Sequence, residues 1–236
     1  MSDKHPLILI PGLLCTDELW RDQIQALSDI SDVSIPKHHL DDDISLIADR
    51  ILKDAPEKFA LAGLSMGGYI ALEIVLQAPD RVTHLALVDT RADADSPQDR
   101  KRREDFIRLV QRGKTFKGVT ESLLPMLIHP SRFQDDALTS RIYQMAEDIG
   151  QEGFIRQETA IMNRKDRNAE LGKIVCPTIV ISGNEDALIS PDLQEKMANA
   201  IPDAEFHLIA ECGHLPSMER PFEVNTLFRE WLSWTS

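Results

Sequence analysis

Residues 59–77 constrain the fold more than any other stretch of the chain. A short apolar run, Phe59-Ala60-Leu61-Ala62, leads through Gly63-Leu64-Ser65-Met66-Gly67-Gly68 directly into an apolar helical pattern over 69–76. A strand that gives way to a helix within one such turn must bend sharply, and the flanking glycines let neighbouring backbone approach it. The unit predicts a sheet whose strands are joined by helices.

The remainder of the chain repeats this rhythm. Apolar runs bounded by turn residues lie at 7–10, 32–35, 58–62, 84–88, 178–181 and 205–209, and helical patterns at 18–27, 44–54, 66–77, 191–200 and 221–231. Their alternation predicts an α/β protein with a mostly parallel sheet covered on both faces. Pro191 and Pro221 suit a first helical turn, where the missing N–H has no intrahelical partner anyway.

Between about 90 and 166 the rhythm breaks: no strand is evident, and amphipathic helices are expected at 98–111, 119–128, 135–148 and 152–163. The chain thus divides into a core of 1–90 and 167–236 and a helical lid of 91–166. Because the lid leaves one strand and returns to another, it should sit over the carboxyl ends of the strands, where open α/β sheets bind ligands.

Composition narrows the function. The chain has 236 residues, 42% apolar and 28% charged, which suits one compact soluble unit. A net charge of -13 argues against a nucleic-acid partner, which requires a concentrated basic face. The run Arg100-Lys101-Arg102-Arg103, followed by Glu104 and Asp105, reads as a solvated helix face. The apolar residues between Pro6 and Pro11 are too few for a signal peptide or a membrane span. Cys15, Cys176 and Cys212 are odd in number, widely spaced and without a C-x-x-C pair, fitting a reducing compartment with no structural zinc. A cytoplasmic protein without membrane association is expected.

The glycine-rich turn also carries chemistry. Gly63-Leu64-Ser65-Met66-Gly67 is a G-x-S-x-G pattern in the strand-turn-helix setting that lifts a serine hydroxyl above a sheet. A serine is a poor nucleophile near neutral pH, so it needs a base within reach and a third group to orient that base. His214 follows the last strand in a loop with Gly213 and Pro216, and Asp186 follows the preceding strand, in the expected chain order of serine, acid, histidine. Asp89, just after the fourth strand, and Glu185 are the competing acids. Among the other histidines, His5 lies in the N-terminal arm, His38 and His39 in a polar loop, and His129 in the lid. His84 and His207 sit in or beside strands as packing residues.

An oxyanion needs two donors. One is expected from the Met66 N–H, directly after the nucleophile, and the other from Leu13 in Pro11-Gly12-Leu13-Leu14, with Leu14 as the substitute. Cys15 lies close enough to line the site, and Trp20 reads as a helix anchor beside this loop. The apolar lid residues Leu123, Leu124, Met126, Leu127, Ile128 and Met145 could line an acyl pocket or form the lid's own core.

Three stretches together resemble the α/β-hydrolase family: the serine turn, Cys176-Pro177-Thr178 through Glu185-Asp186, and Gly213-His214-Leu215-Pro216 with Glu219-Arg220-Pro221. The likeness spans nearly the whole chain outside the lid. It is greatest to small esterases and lactonases such as the pimeloyl-carrier esterase and the 3-oxoadipate enol-lactonase. The resemblance implies an α/β-hydrolase fold with an inserted helical lid, and a Ser65-Asp186-His214 triad acting without cofactor or metal. The implied substrate is a small carboxylic ester, lactone or thioester, and the implied protein is a monomer or small homo-oligomer. Carbon–carbon bond hydrolases, haloperoxidases, acyltransferases, lyases and non-catalytic receptors share the fold and stay open as alternatives.

The chain departs from the family in three places. Pro11-Gly12 stands where His-Gly is common. Only six residues precede the first strand, where the family usually has two antiparallel strands, so a shortened sheet of about six parallel strands is expected. His38-His39-Leu40-Asp41-Asp42-Asp43 lacks the usual Gly-x-Gly-x-Ser turn.

Overall fold

A computed structural model of the chain describes residues 4–113, 116 and 118–234. Met1 to Asp3, at the start of the N-terminal arm, lie outside the described residues. Six strands form one sheet: β1 (His5–Ile10), β2 (Ser31–Ser34), β3 (Phe59–Leu64), β4 (Val82–Val88), β5 (Thr178–Gly183) and β6 (Glu205–Ile209). Their order is β2-β1-β3-β4-β5-β6, and every pairing is parallel, as the sequence predicts. The chain steps outward from β1 to β2 and then returns to the other side with β3. That reversal opens a crevice between the carboxyl ends of β1 and β3.

Side chains alternate across the pleat, so each central strand feeds two cores. Ile8, Ile10, Phe59, Leu61, Leu85 and Val180 face one side, where α2 (Ile44–Asp54), α3 (Met66–Gln77) and α7 (Pro191–Ala200) pack. Leu7, Leu9, Ala60, Ala62, Ala86 and Ile181 face the other, with α1 (Arg21–Ala26) and α9 (Pro221–Trp231). Small alanines on this second face share their core with large rings. Fully buried Trp20 lies 5.9 Å from Phe228, which lies 5.4 Å from Trp231. Asp43, from the loop that lacks the family's turn, caps α2 by accepting from the Ser45 and Leu46 N–H groups at 2.8 and 3.2 Å.

Between β4 and β5 lie α4 (Pro97–Gln111), α5 (Leu124–Leu127) and α6 (Asp136–Met162). The sequence predicts a helix over 119–128, but only the α5 residues are helical. Pro125 has no N–H to bond a carbonyl one turn back, so it breaks a helix running from 119 and is tolerated only in the first turn of α5. The two helices expected at 135–148 and 152–163 are both present within α6, separated by Gly150, whose φ of 67° and ψ of 179° are not helical. The short α8 (Pro216–Glu219) follows β6. No helix among the described residues is long and apolar enough to cross a membrane.

Candidate active site

β3 ends at Leu64 and α3 begins at Met66, leaving Ser65 alone in the turn with φ 54° and ψ -114°. That conformation is costly for a residue with a side chain and persists only when its surroundings over-determine it. Here they do. The Ser65 N–H donates to Val88 O at 2.9 Å, and its carbonyl accepts from the Thr90 hydroxyl at 2.8 Å. The start of α3 also presses on β1 so closely that a Cβ on Gly67 would collide with the Ile10 carbonyl.

Strain of this kind gathers at one edge of the sheet. Leu14, Ser65, Asp89 and Glu211 all have positive φ, and they follow β1, β3, β4 and β6 respectively. This is the crevice edge.

His214 lies in the loop after β6, and its Nδ1 bonds Asp186 Oδ2 at 2.8 Å. Glu219, buried at the end of α8, holds that loop on both sides of the histidine: Oε1 accepts the Gly213 and Leu215 N–H groups at 2.9 and 3.3 Å. Its Oε2 accepts the His129 N–H at 2.6 Å, which ties the segment after α5 to the same loop. Burial pushes the Glu219 carboxyl up, against the pull of these backbone donors.

Three acids compete at the histidine, and the geometry separates them. Asp186 anchors Oδ1 on the Leu188 and Ile189 N–H groups at 2.8 and 3.1 Å, which leaves Oδ2 for His214. Burial alone would raise its pKa, but the charge and hydrogen bond of His214 hold it below the usual carboxylate range. Glu185 turns away to accept the Cys212 N–H at 3.0 Å. Asp89 is fully buried beside the pair, with Oδ1 accepting the Gly183 N–H at 3.0 Å and the Gln194 amide at 3.1 Å. Burial, and then the charge of Asp186, push its carboxyl far up.

The loop after β1 is held from a distance. The Leu14 N–H donates to Gln157 Oε1 of α6 at 3.1 Å, so Leu14 is not a free donor. The Gln157 amide nitrogen lies 2.9 Å from His38 Nε2, which in turn lies 3.0 Å from the Gly12 carbonyl. The Leu13 and Met66 N–H groups find no acceptor among the described residues. His38, expected in a polar loop, is instead buried, and burial lowers its pKa to about 4. The sequence assigns no role to Gln157. Its one signal is a polar residue three after Phe154 and four before Ile161, on the buried side of α6.

A cavity of about 910 Å³ opens onto this edge. Ser65, His214 and Leu13 line it, and His214 is the sole histidine among the described residues that does. Of the apolar residues between β4 and β5 singled out above, Leu123, Met126, Leu127 and Met145 face the cavity, whereas Leu124 and Ile128 pack in the core beneath α5. Cys15 also lines it, but burial pushes its thiol up to about 12, which disfavours a thiolate. The basic run of α4 is only partly solvated. Arg103 turns inward to Asp95 at 2.7 Å and Glu158 at 2.6 Å, because those buried carboxylates need a cation.

Known proteins share this architecture. The family described as alpha/beta hydrolase fold matches residues 40–221. The pimeloyl-[acyl-carrier protein] methyl ester esterase of Nitrosomonas europaea is 25% identical over 94% of this chain and 93% of its own length. A thermophilic esterase from Thermogutta terrifontis superposes with a TM-score of 0.88 at 30% identity, covering 98% of this chain and 90% of its own. The enol-lactonase of Burkholderia xenovorans shares the fold with a TM-score of 0.84 at 22% identity, covering 99% and 93%. With its parallel sheet, its strained serine turn and these likenesses, the chain belongs to the α/β-hydrolase family.

Proposed function

We propose that the chain is a serine hydrolase that cleaves a small carboxylic ester, lactone or thioester through an acyl-enzyme. One observation carries the reading: Ser65 on its strained turn and His214 on its Asp186 hydrogen bond open into the same cavity. In this reading Asp186 holds the His214 tautomer that leaves Nε2 free to take the Ser65 proton. Ser65 Oγ bonds to the substrate carbonyl carbon, and the oxyanion accepts hydrogen bonds from the Leu13 and Met66 N–H groups. His214 then returns the proton to the departing alcohol or thiol. Water, deprotonated by His214, attacks the acyl-enzyme and releases the acid.

Residues 91–166 act as a lid over the core of 1–90 and 167–236, and the apolar side chains they turn into the cavity favour a small hydrophobic acyl group. The esterase relatives support this substrate class. Hydrolysis of p-nitrophenyl acetate and butyrate by the native protein and by Ser65→Ala tests the reading. The substitution should lower kcat by about 10³-fold or more. A folded native protein that turns over no ester in such a panel would favour a ligand receptor instead.

A further inference from the structure

The cluster at His214 holds one carboxyl group more than a triad needs. Asp89 and Asp186 reach it from the ends of β4 and β5, and atoms of Asp89, Asp186 and His214 all lie within 4.8 Å of one another. Both carboxyl groups are buried, and among the described residues neither pairs with an arginine or lysine. The groups facing them are few. His214 and the Cys212 thiol come from the loop after β6, the neutral Gln194 amide comes from α7, and burial keeps the thiol protonated. Two carboxylates sharing one imidazole in a dry site cannot both stay charged at low cost.

The hydrogen bonds say which one keeps the proton. Asp186 has three good donors, the Leu188 and Ile189 N–H groups and His214, spread over both oxygens. Asp89 has donors on Oδ1 only, and its Oδ2 is buried with no partner. A charged oxygen left so bare would be expensive, whereas a protonated one is itself a donor with Asp186 beside it.

Resting on the reading of His214 as the base, we propose that Asp89 and Asp186 work as one carboxylic acid–carboxylate unit. Asp89 is a positioning residue whose O–H fixes the Asp186 carboxylate against His214. It is also the reserve acid: when Asp186 carries no charge, Asp89 ionises and orients His214 from the β4 side.

The test uses Asp89→Asn, Asp186→Asn and the double variant, read by infrared difference spectroscopy and by p-nitrophenyl butyrate hydrolysis against pH. At pH 7 the native protein should show a buried carboxylic-acid carbonyl band that Asp89→Asn removes. Asp89→Asn should leave the midpoint of the acid limb of kcat/KM in place, because no charge is lost beside His214. The double variant should be slower than Asp186→Asn by about tenfold or more. A band that survives Asp89→Asn, an acid limb lowered by about a unit, or a double variant as fast as Asp186→Asn would each overturn the proposal. If Asp89→Asn does not fold, Asp186→Asn decides alone: the band must vanish as Asp89 ionises, and its persistence refutes the reserve role. The band is independent of turnover, so finding it without esterase activity would sink the serine-hydrolase reading and keep the acid pair.

Discussion

Gln157→Leu should slow turnover far more than it weakens substrate binding. Gln157 is fully buried and serves two partners, the Leu14 N–H at 3.1 Å and His38 at 2.9 Å. Leucine fills a similar volume but leaves a buried backbone donor unsatisfied, at a cost of about 1–3 kcal/mol, and strips one bond from His38 for about 1 kcal/mol more. Against a typical total stability of about 5–15 kcal/mol the variant should still fold. The kinetic effect follows from Leu14, whose φ of 59° is strained and whose N–H then has nothing to hold it. As that residue relaxes, the neighbouring Leu13 N–H should swing away from the place proposed for the oxyanion. Complete loss of one such donor costs about 10²–10³-fold in kcat, so a partial displacement should cost about 10–100-fold. KM should stay within about threefold, because Gln157 does not itself line the cavity. Steady-state hydrolysis of p-nitrophenyl butyrate and a urea unfolding curve read both effects. A variant with lowered stability and native kcat would refute the idea that α6 aims the loop after β1.

Two further outcomes follow from the same contacts. His38 has a pKa of about 4 in the folded chain against an ordinary 6.5, so between those values the unfolded chain binds more protons and stability rises with pH. Its contribution, about 3 kcal/mol at most, is present above pH 6.5 and is lost as the pH falls towards 4. Urea midpoints at pH 4.5 and 7 should therefore differ more for the native protein than for His38→Gln, and equal differences would count against the burial argument. Gly67→Ala would drive its Cβ into the Ile10 carbonyl. It should destabilise by about 1–3 kcal/mol and slow hydrolysis by about 100-fold as Ser65 is displaced; a native thermal midpoint would contradict this.

The sheet is legible in the sequence because burial on both faces removes polar alternation. In β3, Phe59-Ala60-Leu61-Ala62-Gly63-Leu64, every residue is buried. The start of β4 is less plain. His84 reads as a strand boundary, yet the strand begins at Val82, since its imidazole is spent inside on the Trp234 carbonyl at 2.9 Å and against the Trp231 ring. Ser65 and His214 are legible because each sits in a turn with its own local chemistry. The choice between Asp186 and Asp89 is not, because both carboxyls stand at strand ends on one edge. What separates them is the turn after β5, whose N–H groups fix one oxygen of Asp186 and leave the other for the histidine. Gln157 and His38 are harder still. They lie 119 residues apart and meet only through the fold.

The strained residues at the crevice edge share one property: each is held by a group from farther along the chain. Ser65 depends on Val88 and Thr90, Leu14 on Gln157, Asp89 on Gly183 and Gln194, and Glu211 on Arg220, whose guanidinium bonds its carbonyl at 2.8 Å. A turn with positive φ has no local reason to persist, so its geometry is a statement about the tertiary contacts that enforce it. The serine turn is consequently not a portable motif. Residues 59–77 can form a strand and a helix by their own pattern, but the angle at which Ser65 leaves the sheet is set by β4. The backbone that would receive the oxyanion is set in part by α6, which belongs to the segment between β4 and β5. In this chain that segment, by holding Leu14 through Gln157, is part of what builds the crevice edge.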